Sequence, residues 1–530
     1  MRPAEMHGGH AAVSALEAAH VDTVFGIPAS HVIEVYDALR TSGIRTIVGR
    51  NEQACAYSAD GYARRAKAPG VTVVTGGPGL GNIIAGLQTA WSDSSPLVAI
   101  TSDLSADHRS AGRRGLPHET FDSAGLAAAT GATLATADRP GEIYGAVRDA
   151  LDASMAPRHG PAVALLARDA LEAPWSGVVP AAKPISGPTE TSADVVTSVA
   201  EALRAARAPV LIAGQGVIWS GAERALADVL ERAAMPAVTT SPAVEAVPDS
   251  SRWWGGPIGD AAARALIEDA DLVLAVGTSL GAASTSEWTL TLPSVLIHVD
   301  IDAEEFGRNY QPTMAVHSDA GAFLERLAEA IGDPIARACW TTPRRPAHPW
   351  VSAFDEALPA GPTTVVGDVS TTLRWLVRSV RTSPQRRLLM PWNSMGMGWS
   401  YAAAIGAQAA APADTVVAVM GDGGALFSLG ELATAAEHEL PVCLVVFNNH
   451  SYGVISELQD ALFDGAQFGV KLATPSFTSV ADAFGVQSWR ADSPGELHRA
   501  LGDAFATGAP SLVEVAIDLA DFGNHRVVSS

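Results

Sequence analysis

The chain has 530 residues, and its 57 acidic and 35 basic residues give a formal net charge of -22. The length predicts two to four domains, and a composition that is 48% hydrophobic and 17% charged excludes a disordered chain. The acidic balance without a Lys/Arg-rich run argues against nucleic acid as a partner, and no apolar run of about 18 residues predicts a membrane span.

The N-terminal third alternates apolar runs with helical patterns. Because the runs are continuously apolar, they predict parallel strands covered on both faces by helices. The strand-like runs are residues 23–28, 44–49, 70–77 and 96–102, and the helical segments between them include residues 31–39 and 52–66.

Two stretches rich in Pro, Gly, Ser or Thr, residues 171–192 and 339–350, read as breaks between domains. They predict an α/β fold of three doubly wound parallel-sheet domains: residues 1–175, 190–335 and 350–530. In such sheets ligands bind beyond the carboxyl ends of the strands.

The stretch "TVVAVMGDGGALFSLGELATAAEHELPVCLVVFNNHSYG", residues 415–453, carries the strongest chemical signal. It predicts two parallel strands joined by a helix, with Leu429, Leu432, Ala433 and Ala436 at helical spacing. Asp422 and Asn449 then share one sheet edge, where a carboxylate and an amide oxygen suit Mg²⁺ and the glycine-rich turn suits phosphate. An ordinary turn is the simpler alternative. A dinucleotide motif fails, since Leu426 stands where a third glycine is needed.

GDG followed by NN resembles the thiamine diphosphate motif. The whole chain resembles the acetohydroxyacid synthase, benzoylformate decarboxylase and pyruvate decarboxylase superfamily. That resemblance implies an N-terminal pyrimidine-binding domain, a central domain and a C-terminal diphosphate-binding domain. It also implies that Asp422, the Asn449 side chain and the Ser451 carbonyl hold Mg²⁺. The diphosphate contacts it implies are Ser370, Thr371, Gly423, Gly424 and Tyr452.

Two further segments match the superfamily. In "NSMGMGWSYAAAIGA" the resemblance implies that Met397 wedges between the cofactor rings and that the Met395 carbonyl accepts from the aminopyrimidine. "GRNEQACAYSADGYAR" places the catalytic glutamate at Glu52, although a solvated glutamate opening a helix is the alternative. In the family this glutamate serves the opposite subunit, which implies a homodimer or homotetramer with active sites at the subunit interface.

The N-terminal part offers three polar candidates near the substrate. Ser30 matches a substrate-contacting serine of benzoylformate decarboxylase, whereas Thr75 replaces that enzyme's catalytic histidine. His118, in "GLPHETFD", falls close to the histidine pair of pyruvate decarboxylase and is a candidate proton relay. The alternative is that His118 is an ordinary histidine in a surface loop. His31 is a weaker candidate for a role near the substrate.

The resemblance implies a cofactor that carries the hard chemistry on a 2-oxo acid substrate. The central segment "AVGTSLGAASTSEW" lacks the expected G-x-R pattern, so we do not expect FAD. We therefore expect a 2-oxo acid decarboxylase or carboligase, with an acetolactate synthase-like enzyme and a non-catalytic cofactor-binding protein as alternatives. Ile455 and Trp399 are candidate pocket walls.

The cysteines and the N-terminus bear on the compartment. Cys55, Cys339 and Cys443 show neither metal spacing nor a disulfide framework, which favours a reducing environment. The first residues lack the apolar core of a signal peptide. We therefore expect a cytoplasmic protein.

Overall fold

The computed structural model describes residues 6–179, 189–337, 340, 348–383 and 385–518. Parts of both predicted breaks, and Cys339 with them, lie outside the described residues. The boundaries at 175, 190, 335 and 350 therefore stay predictions. Cys55 and Cys443 are buried free thiols.

The N-terminal segment contains six strands and nine helices in its described part. The strands are β1 (Thr23–Gly26), β2 (Arg45–Val48), β3 (Gly70–Val74), β4 (Leu97–Asp103), β5 (Thr133–Ala137) and β6 (Ala162–Ala167). The helices are α1 (Gly8–Ala18), α2 (Ile33–Thr41), α3 (Glu52–Ala66), α4 (Pro78–Asn82), α5 (Ile84–Ser92), α6 (Ala106–Ser110), α7 (Ser123–Ala128), α8 (Pro140–Ser154) and α9 (Arg168–Glu172).

The central segment also forms one six-stranded sheet. Its strands are β7 (Pro209–Ala213), β8 (Ala237–Thr239), β9 (Trp254–Pro257), β10 (Leu272–Val276), β11 (Leu296–Asp300) and β12 (Met314–His317). Its helices are α10 (Ala193–Ala205), α11 (Gln215–Trp219), α12 (Glu223–Ala233), α13 (Ala261–Glu268), α14 (Ala282–Thr285) and α15 (Ala320–Ile331), with 3-10 turns at Ser241–Ala243 and Ala303–Glu305.

The C-terminal segment follows the same plan. Its strands are β13 (Thr363–Gly367), β14 (Arg386–Leu389), β15 (Thr415–Gly421), β16 (Val442–Asn448), β17 (Gln487–Ala491) and β18 (Ser511–Ala516). Its helices are α16 (Pro349–Ala357), α17 (Thr371–Ser379), α18 (Trp399–Ala410), α19 (Asp422–Ser428), α20 (Glu431–Glu437), α21 (Gly453–Leu462), α22 (Phe477–Ala483) and α23 (Pro494–Ala506).

The first and third sheets share one topology. Their strand orders are β2-β1-β3-β4-β6-β5 and β14-β13-β15-β16-β18-β17, while the central sheet runs β12-β11-β10-β7-β8-β9. The strands pair in parallel, as between β1 and β3 and between β15 and β16. The prediction of three doubly wound α/β domains is therefore confirmed. In each outer sheet the strand order reverses between the first and third strands, which is where ligands bind in such folds.

The chain forms two compact units. Among the described residues, one unit unites residues 6–179 with 359–372 and 389–518, and the other holds residues 189–358 and 373–388. In the first unit α3 and α18 pack against each other inside a shared apolar core. Asn51 caps α3 by accepting from the Gln53 backbone N–H at 2.8 Å, which starts the helix at Glu52. No helix in the described part of the chain is long and apolar enough to cross a bilayer.

Candidate active site

The Asp422 carboxylate and the Asn449 amide lie at one edge of the third sheet. Asp422 follows β15 and opens α19, Asn449 follows β16, and the two strands are parallel neighbours. The Ser451 backbone N–H lies 3.1 Å from Asp422 Oδ2 and 3.1 Å from Asn449 Oδ1. The predicted shared edge is therefore present, and it gathers oxygen ligands of the kind Mg²⁺ prefers.

Asp422 is buried, with 1% of its surface exposed. Burial raises the pKa of its carboxyl group, although the backbone N–H groups of Gly423 and Ser451 act in the opposite direction. A buried carboxylate that accepts only backbone hydrogen bonds is stabilised by a bound cation. This electrostatic argument fits a divalent metal at Asp422.

A cavity of about 130 Å³ opens beside these groups. The hydroxyl oxygen of Thr371, one of its lining residues, is buried and has no hydrogen-bond partner among the described residues. An orphaned hydroxyl of this kind fits an oxygen-rich ligand such as a diphosphate. The cavity lining includes the predicted residues Ser370, Thr371, Met397, Asp422, Gly423, Gly424, Asn449, Ser451 and Tyr452, and also Ile455.

The two glycines after Asp422 are required by their neighbours. A Cβ atom at Gly423 would lie 2.6 Å from Cε1 of Tyr452, and one at Gly424 would lie 2.2 Å from Asp368 Oδ2. Both separations are shorter than atoms tolerate. The glycines therefore let α19 pack closely against two other elements of the site, a reason that the motif did not reveal.

Asp368 is a buried acid next to the cavity-lining residues that no sequence motif indicated, although it stands in the "DVSTT" segment. It follows β13, is fully buried, and accepts hydrogen bonds from the backbone N–H groups of Gly398 at 3.0 Å and Trp399 at 3.2 Å. Burial raises the pKa of the Asp368 carboxyl group to about 7, against the effect of these N–H groups. A buried acid at the switch point of the sheet, one turn before Thr371, is the signal that could have identified it.

The predicted crossover helix is interrupted. It forms two short helices, α19 and α20, because Gly430 weakens the middle of the segment and Glu431 turns inward. Glu431 is 3% exposed, and its carboxylate accepts from the Arg50 backbone N–H at 3.1 Å and from the Thr434 hydroxyl at 2.6 Å. Glu431 thereby anchors the residues that lead into α3.

The loop before α18 carries the two methionines. Met397 lines the cavity, while Met395 is 41% exposed and has a left-handed backbone with φ of 53°. Trp399 does not line this cavity. Its ring is completely buried, and its Nε1–H donates to Asp60 Oδ2 at 2.8 Å. Of the two candidate pocket walls, Ile455 thus lines the cavity and Trp399 does not.

Glu52 lies at the first position of α3 in the N-terminal domain and is partly buried. The Asn82 amide donates to its carboxylate at 2.9 Å. Asn82 closes α4, the helix of the glycine-rich "GGPGLGN" loop. Glu52 is not among the residues that line the cavity beside Asp422.

A second polar cluster lies at the switch point of the first sheet. His118 Nδ1 lies 3.1 Å from the Thr75 hydroxyl and 3.3 Å from the Gly76 carbonyl, and the rings of His118 and His31 have centroids 4.3 Å apart. Because a carbonyl only accepts, His118 carries its proton on Nδ1 when neutral. Ser30, next to His31, is exposed.

His31 is buried, with 4% of its surface exposed, and its Nε2 lies 3.2 Å from Arg168 Nη1. A guanidinium only donates, so His31 Nε2 must accept and the ring is neutral. Burial, the neighbouring His118 and the Arg168 cation lower the pKa of His31, whereas Glu172 acts in the opposite direction. The Arg168 guanidinium therefore holds His31 in one neutral tautomer, with its proton on Nδ1. Sequence reasoning had named both histidines without their contacts.

Comparison with known proteins places this chain in a class of thiamine diphosphate-binding enzymes. Family models of the thiamine pyrophosphate enzymes match in three parts: the N-terminal TPP binding domain over residues 6–126, the central domain over 196–327 and the C-terminal TPP binding domain over 368–515. The chain belongs to the thiamine pyrophosphate enzyme family, within the superfamily of acetohydroxyacid synthases and 2-oxo acid decarboxylases.

Three curated relatives span nearly the whole chain. A probable 2-ketoarginine decarboxylase AruI of Pseudomonas aeruginosa is 33% identical over 96% of this chain and 93% of its own length. A probable acetolactate synthase large subunit of Methanocaldococcus jannaschii is 29% identical over 97% and 93%. The acetolactate synthase isozyme 2 large subunit of Escherichia coli is 28% identical over 97% and 96%.

Proposed function

We propose that this protein is a thiamine diphosphate- and Mg²⁺-dependent 2-oxo acid decarboxylase or carboligase. The observation that carries the proposal is the convergence of Asp422, Asn449 and Ser451 beside one cavity. The same cavity is lined by Thr371, whose hydroxyl, unpartnered among the described residues, is available to a bound ligand. The combination supplies ligands for a hard cation and donors for a diphosphate at one sheet edge.

Each cavity residue has a distinct role in this proposal. Asp422, the Asn449 side chain and the Ser451 carbonyl hold Mg²⁺, while Ser370, Thr371, Gly423, Gly424 and Tyr452 contact the diphosphate. Met397 separates the two cofactor rings, and the Met395 carbonyl accepts from the aminopyrimidine. Bound there, thiamine diphosphate would supply the nucleophilic carbon and the electron sink for loss of carbon dioxide from a 2-oxo acid.

Glu52 is the proposed acid–base group for the pyrimidine ring. Its position at the start of α3 and its hydrogen bond from Asn82 hold one carboxylate oxygen in a fixed direction. Since Glu52 does not line the cavity beside Asp422, we assign it to the site of a second copy of the chain. The proposed assembly is a homodimer or homotetramer with active sites at the subunit interface.

His118 and Ser30 are the proposed groups on the substrate side. With Nδ1–H donated to the Gly76 carbonyl, His118 presents Nε2 for proton transfer, and the neutral His31 ring lies beside it, tilted by 35° at a centroid distance of 4.3 Å. General acid–base catalysis by a positioned histidine contributes about 10²- to 10⁴-fold in rate. Ser30, exposed at the same sheet edge, is the proposed substrate contact.

An acetolactate synthase-like reaction is the second candidate, and the names of two of the three relatives support it. The 2-ketoarginine decarboxylase relative, at 33% identity, supports the first candidate. A non-catalytic cofactor-binding protein is the weakest candidate, because Glu52, Asp422 and Asn449 are all present. We do not expect bound FAD.

The test uses the purified chain with thiamine diphosphate, Mg²⁺ and a panel of 2-oxo acids, including pyruvate and a guanidino-substituted acid. Carbon dioxide release is followed, the organic product is identified, and the absorbance spectrum is recorded for flavin. An aldehyde or a mixed acyloin supports the proposal. Acetolactate as the main product, or a flavin spectrum, favours the synthase-like candidate. Release of no carbon dioxide from any acid contradicts both.

A further inference from the structure

A buried cluster of three charges lies near the far end of α3, where Asp93, which follows α5, meets Asp60 and Arg64 of the helix. Arg64 Nη2 lies 2.9 Å from Asp60 Oδ2 and 3.0 Å from Asp93 Oδ2, and Arg64 Nε donates to Asp60 Oδ1 at 3.0 Å. The three side chains are 5%, 0% and 2% exposed. Burial alone would lower the pKa of the Arg64 guanidinium, but the two carboxylates raise it above its ordinary value. We name Asp60, Arg64 and Asp93 the buried triad.

Each member of the buried triad holds the segment 390–399, which carries the two site methionines. Arg64 Nη1 donates to the Met390 carbonyl at 2.9 Å, and Asp93 Oδ1 accepts from the Asn393 backbone N–H at 2.9 Å. At the end of the segment, Asp60 Oδ2 accepts from the Trp399 indole, and the Arg64 guanidinium lies 5.0 Å from that ring's centroid. The segment is thus fixed at its beginning, in its middle and at its end.

The segment between these anchors has an unusual backbone. Met395 has φ of 53° and Gly398 has φ of 81°. Met397, which lines the cavity, lies between these two residues. A left-handed conformation is uncommon and strained for a non-glycine residue, and contacts from the surrounding structure help to hold it. The anchors from the triad, together with Asp368 at Gly398, are such surroundings.

We propose that the buried triad is a positioning device for the methionine segment, so that Arg64, a residue outside the cavity, sets the alignment of the cofactor. Helix α3 carries Glu52 at its start and reaches the triad near its end. The start of the helix is anchored because the preceding Arg50 N–H donates to Glu431. The rise of a helix separates Glu52 from Arg64 by roughly 18 Å. One rigid helix thus presents an acid at one end and fixes a cofactor loop at the other. This inference rests on the proposed function.

A purely structural role is the competing explanation, and the neighbouring Arg65 provides the matched control. Arg65 also leaves α3 to pair with a buried aspartate: its Nε lies 2.9 Å from Asp414 Oδ2 and its Nη2 lies 3.0 Å from Asp414 Oδ1. Its Nε also lies 3.2 Å from the Thr364 hydroxyl, and no hydrogen bond joins it to segment 390–399 among the described residues. Loss of Arg65 therefore tests stability without touching the methionine segment.

The experiment compares Arg64→Met and Asp93→Asn with Arg65→Met in the full-length chain loaded with thiamine diphosphate and Mg²⁺. Asp93→Asn keeps an oxygen for the Asn393 N–H and weakens the contact with Arg64, so it is the variant expected to fold if Arg64→Met does not. Melting temperature reports stability. The rate at which the C2 proton of the bound cofactor exchanges, measured at saturating cofactor, reports the alignment of the cofactor.

The expected result is a fall in the exchange rate of at least tenfold in the triad variants. The C2-proton exchange rate of Arg65→Met should stay within twofold of that of the unchanged protein. This should hold even if the melting temperature of Arg65→Met falls as far as that of the triad variants. Exchange within twofold in a folded triad variant would overturn the inference, as would failure of both triad variants to fold, since the triad would then be a determinant of folding. Absence of exchange in the unchanged protein would instead refute the proposed function.

Discussion

Asp422 Oδ2 and Asn449 Oδ1 accept from the same backbone N–H, that of Ser451, at 3.1 Å each. The two side chains follow different strands, and their convergence on one donor brings a carboxylate and an amide oxygen together. A metal ion at this point would replace a weak shared hydrogen bond with direct ligation of both oxygens. The proposed metal site depends on this relationship.

Asp422→Asn should weaken cofactor binding by about 100-fold, because it removes the charged ligand while keeping the shape of the side chain. The measurement is a titration of thiamine diphosphate at fixed Mg²⁺, followed by calorimetry. Asp492→Asn, on the exposed side of the same domain, is the control and should leave affinity unchanged. Unaltered affinity in Asp422→Asn would remove Asp422 from the metal site.

Gly424→Ala should destabilise the protein by about 1–3 kcal/mol and abolish cofactor binding, because its Cβ would lie 2.2 Å from Asp368 Oδ2. Gly361→Ala is the matched change, since a Cβ there meets nothing within 4 Å. Denaturant unfolding and cofactor titration of both variants test this steric argument. Equal behaviour of the two variants would contradict it.

Asp368 should make stability depend on pH. Its pKa of about 7 is above the unfolded value of about 3.9, so folding favours the neutral acid. The stabilisation is complete below about pH 4 and is lost as the pH rises from about 4 to about 7, by up to about 4 kcal/mol. Unfolding of cofactor-free protein and of Asp368→Asn should therefore show the advantage of the unchanged protein shrinking between about pH 4 and pH 7. A constant difference between the two would show that the carboxyl group does not titrate in this range.

His118→Gln should lower kcat by about 10²- to 10⁴-fold and leave cofactor affinity nearly unchanged, because His118 is proposed to act on the substrate and not on the cofactor. Steady-state carbon dioxide release measures kcat. His498→Gln, at an exposed position on α23, should have no effect on it. A kcat for His118→Gln equal to that of the control would make His118 an ordinary loop histidine.

Arg168→Gln probes the neutral state of His31. Loss of the guanidinium removes one cause of the lowered His31 pKa, so His31 should protonate at higher pH. NMR titration of the His31 ring in Arg168→Gln should therefore show its protonation at higher pH than in the unchanged protein. An unchanged His31 titration would show that the Arg168 guanidinium does not hold the ring neutral.

Local signals predicted much of this molecule. The bounds of α3, residues 52–66, follow from its Asn51 cap and its sequence pattern, and the shared edge of Asp422 and Asn449 follows from the geometry of parallel strands. The superfamily resemblance is likewise confirmed. The roles of the individual site residues stay predictions.

The features that escaped prediction depend on contacts between distant residues. Nothing in the periodicity of β13 shows that Asp368 caps the segment before α18, or that Trp399 turns inward to Asp60. The break between α19 and α20 depends on Glu431 reaching Arg50, 381 residues away in sequence. Side chains that pair across domains leave no local pattern in the chain.

The most direct test of the account is the C2-proton exchange rate of thiamine diphosphate bound to the unchanged protein and to Glu52→Gln, with Mg²⁺ at saturation. The account predicts rapid exchange in the unchanged protein and a rate reduced by about 10²-fold or more in the variant, with diphosphate binding largely retained. Equal exchange in both proteins would contradict the role of Glu52. No exchange in the unchanged protein would contradict the proposed enzyme.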